Sequence, residues 1–229
     1  MSTQRTTPYW RYGVYMSDSG ELVSCSACTT PSVEPGPPKK TGRPMTSADF
    51  QGQAPDVARA LIGATLLVDG VGGVIVETEA YDASEPAAHT HRGETPRNRA
   101  MFGPPGHAYV YRSYGLHWCL NFVCREAGHG AGVLIRALRP TEGLPDMRQR
   151  RGQQDERLLC AGPGRVGQAL GITLAHYGLP LDRAPFQVLA PAEAGQAPVR
   201  SGPRIGISKA QQLPWRFGWA DSPYLSRRF

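Results

Sequence analysis

Two glutamates stand two positions apart in an otherwise apolar segment, Val-Ile-Val-Glu-Thr-Glu-Ala-Tyr at residues 74–81. The segment predicts a β-strand, whose side chains alternate between two faces, so Glu77, Glu79 and Tyr81 are expected on one face. Ile75 is expected on the same face, and the other side chains of the strand face the core. Burying an unpaired carboxylate costs several kcal/mol, so the acidic face requires hydrogen-bond donors, cations or a water-filled cleft. In a cleft, a carboxylate could act as a general base.

The paired glutamates are compatible with three interpretations. They could be solvated residues on the open face of an edge strand, without a catalytic role. They could form the carboxylate pair of a sugar O-glycosidase, because residues two apart on a strand lie about 6.6 Å apart, near the separation in inverting enzymes. The absence of a tryptophan cluster around the glutamates argues against a sugar substrate. The third interpretation is a catalytic carboxylate acting on another substrate.

An arginine flanked by leucines lies in a second predicted strand, at residues 132–138. Alternation places Leu134, Arg136 and Leu138 on one face of this strand. An arginine among leucines on a core strand needs an anionic partner. The glutamates of residues 74–81 could supply it, so the two strands are expected to lie close together.

A tyrosine stands at the tip of a predicted β-hairpin. Residues 107–112 and 116–124 alternate as two strands, and Ser-Tyr-Gly at residues 113–115 forms the turn between them. An aromatic side chain at such a tip has little to pack against. Either Tyr114 lies back on its own hairpin as an ordinary surface residue, or it is presented to a partner.

The remaining pattern predicts a mixture of helices and strands joined by one long loop. Helices are predicted at residues 55–62, 141–151 and 162–170, and strands at residues 65–68, 186–189 and 204–208. The polar loop at residues 82–105 has a length that is typical of functional or disordered segments. Gly-Pro-Gly-Arg at residues 162–165 opens the third helix, and its free backbone amides could hold a phosphate. An ordinary capped helix start explains the same residues.

Arginine supplies nearly all of the positive charge. The sequence has 25 basic and 19 acidic residues, for a formal net charge of +6, and its only lysines are Lys39, Lys40 and Lys209. Arginine suits bidentate contacts with phosphates, as in nucleic-acid binding. An ordinary basic enzyme can carry a similar net charge.

Residues 1–44 are predicted to be a tail outside the fold, since they are rich in Ser, Thr, Gly and Pro and have no sustained hydrophobic period. Residues 45–229 then form one domain. The sequence has no run of 18 apolar residues, no secretory signal and an odd number of cysteines, five, so we expect a bacterial cytoplasmic or a eukaryotic nuclear protein without membrane contact. Cys25 and Cys28 have a zinc-ligand spacing without a second ligand pair, so no metal site is predicted.

A series of short motifs runs in order from about Ala54 to the C-terminus. The motifs are Val-Glu-Thr-Glu-Ala-Tyr at 76–81, Ala-Ala-His at 87–89, Thr-Pro-Arg-Asn-Arg at 95–99, Tyr-Val-Tyr at 109–111, Tyr-Gly at 114–115, Cys-x-Asn at 119–121, Leu-x-Arg-Ala-Leu at 134–138 and Gly-Pro at 162–163. No single motif is specific, but the ordered series resembles the alkyladenine type of 3-methyladenine DNA glycosylase.

The resemblance implies both a fold and an activity. The implied fold is a single α+β domain, with a curved, mainly antiparallel β-sheet flanked by helices and a protruding hairpin that inserts into DNA. The implied activity is that of a monofunctional DNA glycosylase of base excision repair. Such an enzyme acts as a monomer on double-stranded DNA, needs no cofactor, and removes flipped purines of the 3-methyladenine, 7-methylguanine, hypoxanthine and ethenoadenine class.

The resemblance also implies roles for individual residues. Glu79 is expected to be the general base that activates water, and Arg136 to help hold that water. Tyr81, His89 and Tyr111 are expected to form the walls between which the flipped base stacks, and the backbone amide of His89 to contact the edge of the base.

Other residues are expected to line the pocket or to contact DNA. Asn121 and Leu134 are expected in the pocket lining, and Tyr114 is expected to fill the gap that the flipped nucleotide leaves in the duplex. Leu116 stands where many relatives have methionine, which could change how the hairpin tip packs against base pairs. The residues expected at the DNA backbone are Arg97, Arg99, Gly164 and Arg165.

Lys209 bears on whether the DNA strand is also cut. Strand cleavage by a glycosylase proceeds through a Schiff base, which requires an unprotonated amine near the sugar. Lys209 is the only lysine after residue 40 and is far in sequence from the pocket residues. It is therefore expected outside the pocket, and the abasic strand is expected to stay intact.

The alternative from another class is a non-catalytic nucleic-acid binder, in which Glu79 is merely a satisfied polar residue.

Overall fold

The computed structural model describes residues 42–191 and 198–229, together with the backbone of two short strands upstream. These strands, β1 (Val14–Met16) and β2 (Leu22–Ser24), form an antiparallel pair. They belong to a compact unit of residues Met1–Lys39, and Lys40–Phe229 form a second unit. Cys25 and Cys28 lie outside the described residues, so what was expected of them stays a prediction.

The second unit is an α+β domain built on one curved antiparallel sheet. Its eight strands are β3 (Thr65–Val68), β4 (Val71–Asp82), β5 (Ala108–Ser113), β6 (His117–Cys124), β7 (Ala131–Glu142), β8 (Phe186–Leu189), β9 (Val199–Gly202) and β10 (Arg216–Trp219). The strand order is β5-β6-β7-β4-β10-β9, and β3 pairs with both β4 and β8. The predicted fold class is confirmed.

Short α-helices pack against this sheet. In the described part of the chain they are α1 (Ala54–Ala60), α2 (Leu144–Arg151), α3 (Glu156–Leu159) and α4 (Pro163–Ala169). Side chains of α1 and α4 share the main hydrophobic core with those of β4, β6 and β7. The hydroxyl of Thr78 on β4 donates to the carbonyl of Ala58 in α1 at 2.8 Å, so this side of β4 faces the helices. Within the described ranges, no helix is long and apolar enough to cross a membrane.

Two predicted elements differ from the structure. The helix predicted at residues 141–151 begins only at Leu144, because β7 continues to Glu142 and Gly143 then adopts a left-handed conformation with φ of 67°. The strand predicted at residues 204–208 is instead an irregular segment after β9. The sequence pattern also did not predict β9, β10 or α3.

A bulge in β4 determines which face its side chains occupy. β4 lies at the centre of the sheet, where Ile75 is opposite Leu138 and Glu77 is opposite Ala137 of β7. Val76 is therefore an extra residue, and an extra residue reverses the alternation of the side chains that follow it. Ile75 packs into the main core. The prediction that Ile75 shares a face with Glu77 is wrong for this reason.

A second register shift, in β7, determines which of its side chains lie on the same face as Arg136. Thr78 of β4 is opposite Ile135 of β7, one pairing after Glu77 and Ala137, so Arg136 is the extra residue of β7. Leu138, beyond the shift, packs into the main core with Ile135. The prediction that Arg136 and Leu138 share a face is therefore wrong, and Arg136 lies with the glutamates.

The face of β4 that carries the glutamates is covered by the chain that follows β9. We call residues 203–229, which include β10, the C-terminal cover. Backbone amides of the C-terminal cover donate to both glutamates: Ile205 to Glu79 and Ser226 to Glu77. The helices thus pack on one face of β4, and the segment called the C-terminal cover packs on the other face.

Candidate active site

Glu79 is fully buried, and its carboxylate accepts three hydrogen bonds. Its Oε1 accepts from the backbone nitrogen of Ile205 at 2.7 Å. Its Oε2 accepts from the hydroxyl of Tyr81 at 2.8 Å and from Nη1 of Arg136 at 3.2 Å. A carboxylate offers about four acceptor positions, so one position remains for a further donor.

Glu77 has one more donor than Glu79. Its Oε1 accepts from Nε of Arg216 at 2.6 Å and from Nε of Arg136 at 3.3 Å. Ser226 adds its hydroxyl at 2.9 Å and its backbone nitrogen at 2.6 Å. Four donors satisfy this carboxylate, so Glu77 is a structural anchor for the C-terminal cover. The geometry therefore argues against a two-carboxylate O-glycosidase.

The surroundings of Glu79 favour proton uptake. Burial raises the pKa of Glu79 above its ordinary value of 4.5, and the opposing effects of Arg136, the Ile205 amide and the Tyr81 hydroxyl are smaller. Burial lowers the pKa of Arg136, but the charges of Glu79 and Glu77 outweigh it and leave that pKa raised. A permanent cation thus contacts a carboxylate that can take up a proton, which is typical of a general base.

A cavity of about 630 Å³ lies directly in front of Glu79, since the three residues that donate to its carboxylate all line it. The ring of His89 meets the ring of Tyr111 edge to face, at 4.6 Å between centroids and 83° between planes. The hydroxyl of Tyr109 lies 3.0 Å from Nδ1 of His89. Burial and the nearby Arg97 lower the pKa of His89, so its imidazole is neutral near pH 7. Neutral aromatic walls can enclose a flat ligand.

The cavity brings most of the predicted site residues together. Those that line it are Tyr81, His89, Arg97, Tyr111, Tyr114, Asn121, Leu134 and Arg136. The side-chain nitrogen of Asn121 donates to the carbonyl of Tyr109 at 3.2 Å, which fixes the amide in the wall. Arg99 lies elsewhere and pairs with Glu94 at 3.1 Å. Leu116 is 71% exposed at the hairpin tip.

The tip of the β5–β6 hairpin carries Tyr114 at the edge of the cavity. Tyr114 and Gly115 have φ of 50° and 69°, and the amide of Leu116 donates to the carbonyl of Ser113 at 3.0 Å. Positive φ values at both central residues, as in a type I′ turn, are usual for asparagine or glycine and strained for tyrosine. The Tyr114 side chain is nevertheless 88% exposed. A strained, exposed aromatic residue indicates a contact with a partner rather than a contribution to stability.

A second cavity of about 550 Å³ adjoins the first and shares Arg136, Pro163 and Ile205 with it. Its arginines are Arg136, Arg151, Arg165 and Arg227. Among the described residues that line it, none is acidic. Gly164 and Arg165, which were predicted to contact the DNA backbone, lie here rather than in the aromatic cavity.

Lys209 lines the aromatic cavity, contrary to the expectation from its position in the sequence. The C-terminal cover turns back over β4 after β9, and this return brings residues 205–209 to the cavity wall. The side chain of Lys209 is exposed. Sequence distance was therefore a poor guide to the location of Lys209.

The sequence analysis also missed two buried arginines of the C-terminal cover, of which Arg216 pairs with Glu77 and Arg204 pairs with Glu85. Arg216 stands between tryptophan and phenylalanine, and Arg204 stands beside Ile205. Both arginines are buried, at 3% and 5% exposure. An arginine among apolar residues is the signal that pointed to Arg136, and the same signal could have found these two.

The fold and the site together define a class of enzyme. In this class, one α+β domain holds a buried carboxylate against an arginine in the wall of an aromatic cavity, and a hairpin presents an exposed aromatic residue at the edge of that cavity. Among the described residues, no group of three or more His, Cys, Asp or Glu side chains could hold a metal ion.

Comparison with known proteins identifies the family. The sequence profile of the family described as "Methylpurine-DNA glycosylase (MPG)" matches residues 48–223. A relative from Nitrosospira multiformis is 66% identical over 183 residues, which cover 80% of this chain and 94% of the relative. A relative from Nitrobacter winogradskyi is 62% identical over 195 residues, which cover 85% of this chain and 92% of the relative. A relative from Bradyrhizobium diazoefficiens is 56% identical over 199 residues, which cover 87% of this chain and 98% of the relative. All three carry the name "Putative 3-methyladenine DNA glycosylase".

The chain belongs to the methylpurine-DNA glycosylase family. It is therefore a DNA glycosylase, a hydrolase of N-glycosyl bonds whose substrate is DNA.

Proposed function

We propose that the protein flips damaged purine nucleotides out of duplex DNA and hydrolyses the N-glycosidic bond with a water molecule activated by Glu79. The observation that carries this proposal is the Glu79 carboxylate, which lies directly behind an aromatic cavity and has one acceptor position left. A base inside a duplex cannot reach such a buried group. The target nucleotide must therefore leave the stack before the reaction.

Glu79 and Arg136 have different roles in the hydrolysis. Glu79 accepts a proton from the water as the water attacks the sugar carbon, and its raised pKa makes it a better proton acceptor than an exposed carboxylate. Arg136 contacts Glu79 at 3.2 Å and helps to hold the water. Glycoside hydrolysis passes through a cationic, oxocarbenium-like transition state, and a carboxylate beside the sugar stabilises that charge.

The cavity suits a purine base. Its volume lies within the range of about 300–1,000 Å³ that is usual for small-molecule sites. Stacking on Tyr81 and Tyr111 contributes on the order of 1–3 kcal/mol per base, which offsets the few kcal/mol that extrusion costs. The backbone amide of His89 contacts the edge of the base. We propose alkylated and deaminated purines as substrates, with 3-methyladenine, 7-methylguanine, hypoxanthine and ethenoadenine as the class to test.

The hairpin and the second cavity hold the duplex around the flipped nucleotide. Tyr114 enters the gap in the stack from the minor groove, with Leu116 beside it. Arg165 and Gly164 contact the DNA backbone, and Arg97 contacts it from the edge of the aromatic cavity. The strained turn at Tyr114 and the basic second cavity support these roles.

We propose that the enzyme is monofunctional and leaves the abasic strand unbroken. The hydrogen bonds of Glu79 support a water nucleophile, and a guanidinium stays protonated at any working pH, so no arginine can form a Schiff base. Lys209 is the one amine that lines the cavity within the described residues. Its exposure suits contact with the DNA outside the pocket.

The test is the release of free bases from defined DNA. Duplex oligonucleotides with one hypoxanthine or one ethenoadenine, and duplex DNA treated with a methylating agent, are incubated with the protein, and free purines are separated by chromatography. Release of at least one damaged purine is expected, with none from an otherwise identical duplex carrying adenine. A non-catalytic binder would retain the lesion duplex and release nothing, and that result would overturn the proposal.

A further inference from the structure

Arg204 lies outside the catalytic pair, and its side chain is fully buried. Its guanidinium forms a bidentate ion pair with Glu85, at 2.6 Å from Nη1 to Oε1 and 2.9 Å from Nη2 to Oε2. Nη1 also donates to the carbonyl of Ala80 at 2.9 Å. These contacts tie the start of the C-terminal cover to the end of β4 and to the loop that follows it.

The guanidinium of Arg204 also packs between two aromatic rings. Its Cζ lies 4.7 Å from the ring centroid of Tyr81 and 5.4 Å from that of Trp215. Tyr81 lines the cavity and Arg204 does not. Arg204 therefore supports the Tyr81 ring from outside the cavity, and an arginine plane suits such stacking.

Arg204 is directly connected to two of the three donors that hold Glu79. The ring that Arg204 supports carries the hydroxyl that donates to Glu79 at 2.8 Å. The next residue in the chain, Ile205, supplies the backbone amide that donates at 2.7 Å. A shift of Arg204 would therefore move both donors at once.

We propose that Arg204 is a positioning residue for base release. It fixes Tyr81 and Ile205 so that their two donors orient the Glu79 carboxylate toward the water. The inference rests on the proposed role of Glu79 as the general base.

The first test is Arg204→Met, which keeps the length of the side chain and removes its charge and its planar group. The single-turnover rate of base release is expected to fall by about 10-fold to 100-fold, as for other small misplacements of catalytic groups. Affinity for a duplex with an uncleavable abasic analogue is expected to change by less than about threefold. The acid limb of the pH profile should move to higher pH, because the Ile205 amide and the Tyr81 hydroxyl lower the pKa of Glu79 and would no longer be held in place.

A double variant separates positioning from folding. Arg204→Met leaves Glu85 as an unpaired buried carboxylate, which destabilises the protein by itself. In Arg204→Met/Glu85→Gln both charges are gone, so the thermal midpoint should recover while the rate and the acid limb do not. Arg125→Met is the matched control, because Arg125 also pairs with a carboxylate, Asp82 at 3.4 Å, and lines neither cavity. It should release bases at the wild-type rate.

Two results would overturn the inference. One is a wild-type rate and acid limb in Arg204→Met. The other is recovery of stability, rate and acid limb together in the double variant, which would make Arg204 a purely structural residue. If the wild-type protein released no damaged base, the proposed function itself would fail, and the inference would fall with it.

Discussion

Glu77 and Glu79 are the same residue type, two positions apart, and differ in what surrounds them. Four donors satisfy Glu77, and three leave one acceptor position on Glu79. The sequence indicated that both carboxylates need partners. The pattern of the strand could not distinguish them, because the deciding donors, Arg216, Ser226 and Ile205, lie 126 to 149 positions further along the chain. Only the resemblance of motifs pointed to Glu79 rather than Glu77.

Glu79→Gln is expected to lower the single-turnover rate of base release by about 100-fold or more, because the amide keeps the shape of the site and cannot accept a proton. Binding to a lesion duplex, measured by fluorescence anisotropy, should be nearly unchanged. Wild-type turnover in this variant would contradict the assignment and make Glu77 the candidate base. Glu77→Gln is the matched control and is expected mainly to lower the thermal midpoint, since it leaves the buried Arg216 without an anion.

The rate of base release is expected to fall as the pH falls through the raised pKa of Glu79. Only the ionised carboxylate can accept a proton, and burial raises its pKa above the ordinary value of 4.5. The loss should therefore begin at a higher pH than for an exposed glutamate. Single-turnover rates measured from about pH 4 to pH 8 check this. A profile that stays flat until the protein unfolds would contradict it.

Borohydride is expected to trap no covalent complex between the protein and lesion-containing DNA, even though Lys209 lines the cavity. Water held by Glu79 and Arg136 attacks the sugar, so no imine forms for borohydride to reduce. Electrophoresis under denaturing conditions detects any adduct. An adduct that appears with the wild-type protein and disappears in Lys209→Ala would show that the enzyme also forms a Schiff base.

At the scale of elements, the alternation of side chains predicted the strands but not the bulges within them. The predicted strand at residues 65–68 matches β3, and that at residues 186–189 matches β8. The alternation fails at Val76 and Arg136, because a bulge depends on how β4 pairs with β7 and leaves no mark in either strand alone. These bulges place Arg136 beside the glutamates and Ile75 in the core. The local pattern thus determined the elements, and their long-range pairing determined the site.

The hairpin tip is expected to act only on duplex DNA. Tyr114→Ala should weaken binding to a lesion-containing duplex by about 1–3 kcal/mol, and binding to the matching single strand by less, since only a duplex has a gap to fill. Titrations of both DNAs measure the difference. Leu174→Ala is the control, because Leu174 is also an exposed apolar residue, at 62%, and lies outside the hairpin. Equal losses on both DNAs would make Tyr114 an ordinary surface contact.

At the scale of the whole molecule, the resemblance of ordered motifs indicated residues that do gather around one cavity, and the contacts of the C-terminal cover with the glutamates escaped prediction. Most of the motif residues lie on strands or on the loop after β4, where local pattern and spacing are informative. The C-terminal cover is irregular over residues 203–215 and has no hydrophobic period. Its role depends on contacts with β4, which no local pattern records.

Deleting residues 1–39 is expected to leave base release and the thermal midpoint essentially unchanged, because this tail has no apolar period with which to join the core. Residues 43 and 44 are different: the amide of Ala190 donates to the carbonyl of Arg43 at 2.8 Å, and Pro44 forms a bridge with Leu189. A deletion that extends through residue 44 should lower the midpoint by a few degrees, at roughly 2–4 °C per kcal/mol. Calorimetry of both deletions checks this, and a large fall with the shorter deletion would show that the tail is part of the fold.

The C-terminal cover also determines when, during synthesis and folding, the active site is completed. A chain is synthesised from its N-terminus, so β3 to β7 leave the ribosome before three of the donors to Glu77 and Glu79, which are Ile205, Arg216 and Ser226, exist. Contacts across 126 and 149 positions are also the slowest to form during folding. In refolding experiments, base release should therefore return later than the far-ultraviolet signal of the sheet, and a chain truncated before residue 203 should never acquire it. The C-terminal cover, which is made after β3 to β7, completes the site, so a chain that stops before residue 203 is expected not to remove bases from DNA.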